Sequence, residues 1–489
     1  MRWQYVGGLT AVLVVALHGC SADSEDGGSG SAGSGAAGTS GSGDPSQQAS
    51  SVGPSSGSGA APSDGNDTFA TAEPIALDGS HAAEISPTGD VDYYSFAADA
   101  GSIVYFNLDA QDLDGAGFDA KHLDLVLTVY DAAEVQVAEN DTPVPRYSAD
   151  PEMYFVVPAT GTYVLRVAEC WQWAEDPEAQ CAAPEAKELT AYELLAITVD
   201  PARFESIVGE TEPNDEAATA DEIEYAKGDA GTYYYSDIIG DFASATDIDV
   251  YAFSLPTDTP VTEGRPVAHF WPMAWGPSGN GSTTSPGRMY LVDPLDPTVR
   301  FAEVDAALGQ RLQVPVDLGR AFQLWVEHQG EASGANDFYV ARHYGAGSNP
   351  VESSDASNGE WSGAEPLSLS DNGDGTFSFF IDGDITVAGV DVDHFSIEAA
   401  PAPDLTRVSV ACSAQRRGSG LRELTFQLLD AEGVALPGAT HTEGPDEDAQ
   451  LPDVAIPGGA RSLLLRVSAE SQEANVTSTF YRCGVHLGM

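Results

Sequence analysis

Apolar and polar residues alternate along most of this chain, in short runs bounded by turn-forming residues. The runs at 104–108 and 125–129 place Val, Phe or Leu at every second position. Side chains of a strand point alternately to its two faces, so this period of two predicts strands with one buried face. Gly, Pro, Asn and Asp separate the runs, and no long amphipathic helix interrupts them. The pattern predicts an all-β chain of antiparallel β-sandwiches.

The chain after residue 62 contains three repeats, each about 140 residues long, which is the pattern of a tandem array of modules. Each repeat begins with an Asn-led segment, at Asn66, Asn214 and Asn358. Each later has a turn and a strongly alternating strand, at 163–167, 322–326 and 463–467. We therefore expect three jelly-roll-like β-sandwich modules, at residues 63–203, 204–345 and 346–489.

One acidic strand recurs in every repeat. Its copies are Asp90–Phe96, Asp247–Phe253 and Asp391–Ile397. Because alternate side chains share a face, both Asp residues of a copy point to the same side as the large apolar residues that follow. The apolar end can enter the core while the carboxylates gather at one end of the sandwich.

The N-terminus has the features of an export signal at residues 1–19. Arg2 supplies a positive start, and residues 5–17 form an apolar run too short to span a bilayer comfortably. Leu17–Cys20 resembles the lipobox of bacterial lipoproteins, which implies palmitate or similar acyl chains on Cys20 that anchor the protein to the membrane. Ser21 after it is similar to the outer-membrane sorting pattern. The alternative is an ordinary cleaved signal with a chance Cys.

Residues 20–62 are mostly Ser, Gly, Ala, Asp, Gln and Pro, without apolar periodicity. Such a segment buries too little surface to fold, so it predicts a disordered N-terminal tether. A lipid anchor followed by this tether predicts a protein displayed at the cell surface, away from its membrane.

Net charge narrows the range of partners. The formal charge is −56, with 76 acidic and 20 basic residues. This disfavours nucleic acid and bare anionic membranes and favours solubility and cation binding. A solvated acidic shell explains most of the charge.

The cysteines agree with export. Of the five, Cys20 is assigned to the lipid, which leaves an even number for an oxidising compartment. Local pairing predicts two disulfides, Cys170–Cys181 and Cys412–Cys483.

The segment Glu210–Asp215, followed by the Asp-x-Asp-x-aromatic strand, resembles the bacterial pre-peptidase C-terminal domain. The likeness covers most of residues 63–489 as three copies, is fullest in the second and is eroded in the third. It implies a calcium-associated β-sandwich related to the collagen-binding domains of clostridial collagenases. The family normally accompanies an extracellular peptidase, and this sequence carries none.

The resemblance also implies sites for Ca²⁺, a hard cation that takes six to eight oxygen ligands. In the second repeat the implied ligands are Glu210, Glu212, Asn214, Asp215, Asp247 and Asp249. In the first they are Asp64, Asn66, Asp67, Asp90 and Asp92, and in the third Asp391 and Asp393. The alternative is that these residues only cap turns and strand starts.

Catalytic patterns are missing from the sequence. It has no His-Glu-x-x-His pair, and no Gly-x-Ser-x-Gly outside the tether. Trp171 and Trp173, inside the first expected disulfide loop, and Trp271 and Trp275 in a second cluster could contact a sugar or a protein. Aromatic residues of β-proteins more often belong to the core.

These features predict a non-catalytic surface lipoprotein that displays calcium-stabilised β-sandwich modules to a protein, matrix or polysaccharide partner. Two alternatives remain open: an extracellular peptidase or glycosidase with an unrecognised carboxylate site, and a purely structural spacer.

Overall fold

The computed structural model describes residues 65–488, except 111–121, 142–149, 175–180, 182–186, 201–206, 228–232, 262–263, 273–281, 285, 329–337, 348–349, 353–357, 368–369, 372–375, 399–405 and 457–461. Strands dominate this part of the chain, and its one α-helix, α1 (Cys170–Trp173), has four residues. The predicted all-β fold is confirmed. No helix among the described residues is long and apolar enough to cross a membrane. The expected signal peptide, tether, Cys20, Asp64 and Trp275 lie outside the described residues.

Sandwich 1 consists of two facing sheets around one apolar core. Its strands are β1 (Glu73–Pro74), β2 (Asp78–Glu84), β3 (Val91–Ala98), β4 (Ile103–Asp109), β5 (Leu125–Tyr130), β6 (Gln136–Asn140), β7 (Glu152–Val156), β8 (Gly161–Glu169) and β9 (Ala191–Val199). One sheet has the order β1-β3-β8-β5-β6 and the other β2-β9-β4-β7.

Sandwich 2 repeats this plan with two additional short strands. Its strands are β10 (Ile207–Gly209), β11 (Asp221–Glu222), β12 (Ala226–Lys227), β13 (Tyr234–Asp241), β14 (Ile248–Phe253), β15 (Pro266–Pro272), β16 (Arg288–Asp293), β17 (Asp296–Asp305), β18 (Leu312–Pro315), β19 (Phe322–Glu327) and β20 (Phe338–Gly347). The sheet orders are β10-β13-β20-β15-β18, with β12 also on β13, and β11-β14-β19-β16-β17.

Sandwich 3 has the same pair of sheets, ordered β21-β24-β29-β26-β27 and β22-β23-β30-β25-β28. Its strands are β21 (Glu365–Leu367), β22 (Ser370–Asp371), β23 (Phe377–Asp384), β24 (Val392–Glu398), β25 (Arg407–Ser413), β26 (Leu421–Leu429), β27 (Ala435–Thr442), β28 (Ala449–Ala455), β29 (Ser462–Gln472) and β30 (Phe480–Gly488). Among the described residues, 3₁₀ turns lie at Phe69–Thr71, Ala306–Leu308, Trp361–Gly363 and Gln415–Arg417.

The strands pair antiparallel except at some sheet edges. This differs from the sequence-based prediction, which had antiparallel pairing throughout. The edge strands β1, β11 and β21 run parallel to β3, β14 and β24, and β10 runs parallel to β13. After each of β1, β11 and β21 the chain crosses to the opposite sheet before it returns. It therefore re-enters the first sheet in its original direction.

The acidic strands lie where their pattern predicts. Tyr251 and Phe253 of β14 are buried in the core of sandwich 2, while Asp249 on the same face lies at the strand's beginning. Tyr94 and Phe96 occupy the equivalent places in the core of sandwich 1. The apolar residues thus fix which way the carboxylates point.

Both predicted disulfides are confirmed. Cys170 and Cys181 are bonded with an S–S distance of 2.08 Å, which closes the loop after α1. Cys412 of β25 and Cys483 of β30 are cross-strand neighbours and are bonded as well.

Sandwiches 1 and 2 meet at an interface that we call seam 1/2. Its apolar part comprises Ile103, Tyr105, Tyr154 and Val199 from sandwich 1 and Ile207, Ile239, Phe338 and Val340 from sandwich 2. Beside it, the Arg342 guanidinium donates two hydrogen bonds to Asp237, at 2.8 and 3.0 Å. Glu152 lies 3.5 Å from the same guanidinium, and the Tyr154 hydroxyl donates to Asp237 at 3.0 Å. Ions are therefore buried across the seam together with apolar surface.

Sandwiches 2 and 3 meet at seam 2/3, where main-chain atoms pair directly. Arg300 of β17 forms a parallel bridge with Val476 of sandwich 3. Phe480 of sandwich 3 also packs into the core cluster of sandwich 2. The three modules therefore form one connected row.

A buried histidine makes sandwich 2 sensitive to acid. His343 is fully buried, its Nδ1–H donates to the carbonyl of His269 and its Nε2 accepts from the Tyr225 hydroxyl, each at 2.7 Å. Burial lowers the pKa of His343 to about 3. The unfolded chain takes up this proton near pH 6.5 and the folded chain does not. Stability from this group is therefore complete above pH 6.5 and falls as the pH drops toward 3.

We expect wild-type protein to lose about 1.4 kcal/mol of unfolding free energy per pH unit in that window from this residue. Urea unfolding of the wild type and a non-titrating variant at pH 7 and pH 5 isolates this loss by difference, because the raised pKa values of Glu210 and Asp249 change stability in the opposite direction. His343→Gln, which cannot titrate, should lower stability at pH 7 but reduce the pH dependence. Equal pH dependence in both proteins would contradict this assignment.

Candidate metal centre

Three carboxylates converge at one end of sandwich 2. Glu210 directly follows β10, Glu212 lies two residues later, and Asp249 is on β14. One oxygen from each lies within 4.8 Å of the others, and we call this group the acid cluster. Since β10 and β14 belong to opposite sheets, the acid cluster bridges the two layers of the sandwich.

Asp249 is the buried member of the acid cluster. Its Oδ2 accepts a hydrogen bond of 2.6 Å from the Tyr339 hydroxyl, which in turn lies 2.9 Å from the hydroxyl of Tyr251. Its Oδ1 is buried and accepts no hydrogen bond from the described residues. A buried oxygen without a partner is costly, so this atom favours a positively charged neighbour.

Glu210 fits into space left by a glycine. Its Oε2 accepts a 2.6 Å hydrogen bond from the backbone N–H of Asp241. A Cβ atom at Gly240 would lie 2.6 Å from both this carboxylate and the Tyr339 hydroxyl, so only glycine leaves enough room. Burial, followed by the Asp249 charge, raises the pKa of Glu210. Burial likewise raises the pKa of Asp249, although the Tyr339 hydroxyl opposes this shift.

Asn214 adds a neutral oxygen beside the acid cluster. Its backbone N–H donates to Glu212 Oε2 at 3.2 Å, and its Nδ2 donates to Asp221 at 3.1 Å. Its Oδ1 is fully buried and has no hydrogen-bond partner among the described residues. Carboxylate and amide oxygens are the ligands that Ca²⁺ prefers, so Glu210, Glu212, Asn214 and Asp249 fit a calcium ion.

Asp215 and Asp247 form a separate pair next to these residues. Asp247 Oδ2 accepts from the backbone N–H of Ala243 at 2.5 Å, as a turn cap does. Burial raises the pKa of Asp247, and the adjacent Asp215 carboxyl raises it further. Within the acidic strand, the first Asp therefore caps a loop and the second belongs to the acid cluster.

In sandwich 1 the two Asp residues of the acidic strand also lie in different environments. Asp90 accepts hydrogen bonds from the backbone N–H groups of Ser86 and Val91 at 3.0 Å each, and Asp92 is fully buried, with the Tyr192 hydroxyl 2.5 Å from its Oδ2. Ala83 pairs with Tyr192 in the register that Gly240 has with Tyr339. A methyl group therefore stands where sandwich 2 leaves room for the carboxylate of Glu210.

The remaining predicted ligands of sandwich 1 lie at its beginning. Asn66 is buried, and its carbonyl accepts from the backbone N–H of Tyr93 at 3.0 Å. Asp67, the next residue, is half-buried.

Sandwich 3 contains a carboxylate that the sequence did not reveal. Glu352 Oε1 accepts a 2.8 Å hydrogen bond from the backbone N–H of Asp384, just as Glu210 accepts from Asp241. Burial, followed by the charge of Asp393, raises the pKa of Glu352. Glu352 precedes Asn358 by six residues, whereas Glu210 precedes Asn214 by four, and this difference in spacing hid the match.

Asp391 and Asp393 divide as their counterparts do. Asp391 Oδ2 accepts from the backbone N–H of Thr386 at 2.7 Å. Asp393 is buried and accepts a 2.8 Å hydrogen bond from the Tyr481 hydroxyl.

A tyrosine near the beginning of each closing strand completes the pattern. Tyr192, Tyr339 and Tyr481 each donate a hydrogen bond to the second Asp of their acidic strand. The sequence shows the closing strands, and the recurrent tyrosine was the signal that could have linked them to the acidic strands. These hydroxyls hold the buried carboxylates in a fixed orientation.

The predicted ligand-contact tryptophans lie in two different environments. Trp171 and Trp173 are on α1 and are half-buried, and the Trp173 indole N–H donates to Glu139 at 2.8 Å. Trp271 packs against seam 1/2, with the guanidinium of Arg311 3.6 Å from its ring centroid. Their contact with a ligand stays a prediction.

No family model matches the chain. No curated protein matches it either. Membership of the pre-peptidase C-terminal family therefore stays a prediction.

Among solved structures, the chain is similar to the pre-peptidase C-terminal domain of a collagenase from Bacillus anthracis, with 14% identity over 26% of this chain and 93% of that domain and a TM-score of 0.18. It is also similar to tandem CBM51 modules of a family 98 glycoside hydrolase from Streptococcus pneumoniae, at 11% identity over 52% of this chain and 83% of theirs, with a TM-score of 0.17. The human MASP-1/3 CUB1-EGF-CUB2 fragment matches at 8% identity over 55% and 99%, with a TM-score of 0.14. At these TM-scores the likenesses carry no argument about function.

Proposed function

We propose that this protein is a non-catalytic, lipid-anchored surface protein whose β-sandwiches are stiffened by calcium and displayed to an extracellular partner. The observation that carries the calcium part is the acid cluster together with the two buried oxygens, Asn214 Oδ1 and Asp249 Oδ1, that accept no hydrogen bond from the described residues. A bound cation would offset the repulsion among the carboxylates and would be coordinated by both of these oxygens.

Calcium has a structural role in this proposal. Glu210 follows an edge strand of one sheet and Asp249 belongs to a central strand of the other. An ion held by both ties the two layers together at the end where the chain enters sandwich 2. The Tyr339 hydroxyl and the Asp241 backbone N–H hold the two carboxylates in place before the ion arrives.

The display part of the proposal rests on the sequence. Cys20 carries the anchor, residues 21–62 form the tether, and the three sandwiches face outward from the outer membrane. The charge of −56 favours a neutral or basic protein, matrix or polysaccharide partner over nucleic acid. The half-buried Trp171 and Trp173 are our candidate contacts.

We expect millimolar calcium to stabilise sandwich 2 by roughly 1–2 kcal/mol, for a dissociation constant on the order of 10⁻⁴ M. Calorimetric melting in calcium and in excess chelator measures this difference. Asp249→Asn and the milder, exposed-site change Glu212→Gln should both reduce the calcium-dependent shift. Melting curves that coincide in calcium and chelator would exclude the metal site.

The matched control for this experiment is Asp258→Asn. Asp258 is an exposed acid of the same sandwich, 3.2 Å from Lys227, and lies outside the acid cluster. Asp258→Asn makes the same carboxyl-to-amide replacement as Asp249→Asn but outside the acid cluster, so its calcium response should equal that of the wild type. A reduced response in this variant would mean that calcium acts through the general acidity of the surface.

A further inference from the structure

We infer that the chain has one mechanical joint, at seam 1/2: sandwich 1 separates as a folded unit, while sandwiches 2 and 3 remain joined. The inference rests on a difference between the two seams. Seam 2/3 is made by main-chain hydrogen bonds as well as side chains, whereas seam 1/2 is made by side chains.

The main-chain hydrogen bonds of seam 2/3 join β17 and the nearby Arg311 to a loop and a turn of sandwich 3. Arg300 and Phe301 of β17 pair with the segment 475–478, with N···O distances of 3.0–3.2 Å. The backbone N–H of Glu303 donates to the carbonyl of Gly418 at 3.0 Å, and that of Arg311 donates to the carbonyl of Arg416 at 3.1 Å. Bonds of this kind fix register and direction, as they do between strands of one sheet.

Close packing reinforces this seam. A Cβ atom at Gly418, whose φ is +100°, would lie 2.7 Å from the Leu312 side chain, so the backbone of sandwich 3 touches sandwich 2 directly. The Gln310 amide also donates to the carbonyl of Pro445 at 2.7 Å. Seam 2/3 therefore resembles the interior of a single domain.

Seam 1/2 is built differently. Across the described residues, no backbone–backbone hydrogen bond joins sandwich 1 to sandwich 2. The contacts seen between described residues are the apolar cluster, the Tyr154–Asp237 hydrogen bond and the contact of Arg342 with Glu152. Each sandwich keeps its own core when these contacts are lost. Separation therefore opens one seam and unfolds neither module.

The buried ions favour two discrete states over a gradual loosening. Asp237 and Arg342 are 1% and 5% exposed, and both become hydrated once the seam opens. A slightly opened seam would admit water to the ions without hydrating them fully and would lose the apolar contacts as well. The docked and separated arrangements are consequently the two stable ones.

Single-molecule energy transfer during a urea titration tests this inference in the full chain. Dyes attached through non-canonical amino acids at exposed hairpin residues Ala133, Leu295 and Glu432 report on sandwiches 1, 2 and 3. We expect the 133–295 pair to lose its native transfer efficiency at a lower urea concentration than the 295–432 pair. An intramodule pair, Ala97 and Ala133, should remain native at that first step.

Two variants serve as a matched pair, because each removes a side-chain hydrogen bond at one of the two seams. Tyr154→Phe removes the bond to Asp237 and should lower the first midpoint by about 0.5–1 M urea, leaving the 295–432 midpoint unchanged. Gln310→Ala removes the seam 2/3 bond to Pro445 and the bond that Gln310 accepts from the backbone N–H of Asp305 within sandwich 2, and it should leave the first midpoint in place. Simultaneous loss of the 133–295 and 295–432 signals, or earlier loss of the latter, would overturn the inference.

Discussion

Replacement of Arg342 by Ala is expected to weaken the docking of sandwich 1 by roughly 3–5 kcal/mol. Arg342 is 5% exposed, and its guanidinium neutralises Asp237 through two hydrogen bonds, with Glu152 3.5 Å away. Without it, two carboxylates stay buried at one interface with no cation between them. Two buried carboxylates without a counter-ion cost far more than the ion pair itself contributes.

Calorimetry and the urea midpoint of the wild type and Arg342→Ala measure this loss. Arg320→Ala is the control, because Arg320 is exposed and forms an ion pair of 2.8 Å with the half-buried Asp293, so its loss should change stability by about 1 kcal/mol or less. If Arg342→Ala were as stable as Arg320→Ala, the buried ion pair would make no net contribution to stability.

Replacement of Glu443 by Ala is expected to destabilise sandwich 3 by roughly 3–5 kcal/mol. This carboxylate is 3% exposed and accepts from the backbone N–H groups of Ala414, Gln415 and Arg416 at 3.0–3.2 Å. Its removal leaves the buried N–H of Ala414 and the half-buried N–H groups of Gln415 and Arg416 without this acceptor. The same turn carries the Arg416 carbonyl that accepts from Arg311, so seam 2/3 should weaken too.

The comparison with Glu447→Ala isolates the effect of burial. Glu447 is on the same loop and is exposed, so its removal should change the unfolding free energy by about 0.5 kcal/mol or less. Glu443→Gln keeps one acceptor oxygen, so its unfolding free energy should lie between those of Glu443→Ala and Glu447→Ala. Equal melting temperatures for Glu443→Ala and Glu447→Ala would contradict the anchoring role.

The sequence predicted the modules because their signals are local. Alternation placed Tyr251 and Phe253 in the core, and their spacing from Asp249 fixed the side on which that carboxylate lies. The disulfides followed from the count and separation of the cysteines. Each of these predictions depends on residues close to one another in the chain.

The site residues that the sequence did not predict depend on contacts between strands that are distant in the chain. Glu352 was missed because its spacing from Asn358 differs from that in the second repeat. Tyr339 was missed because it reaches Asp249 from the closing strand, 90 residues away. Residues 103–106 did carry a signal for seam 1/2: the run Ile-Val-Tyr-Phe is apolar on both faces, as in a strand covered on both sides.

The main-chain pairing at seam 2/3 has a consequence for anyone who dissects the protein. A chain that ended after Gly347 would lack the segment 475–478, which pairs with β17, a strand of ten residues. A long bare edge recruits strands from other molecules, so a fragment of the first two modules would tend to aggregate. The safe place to divide the chain lies before Ile207, which keeps the last two modules together.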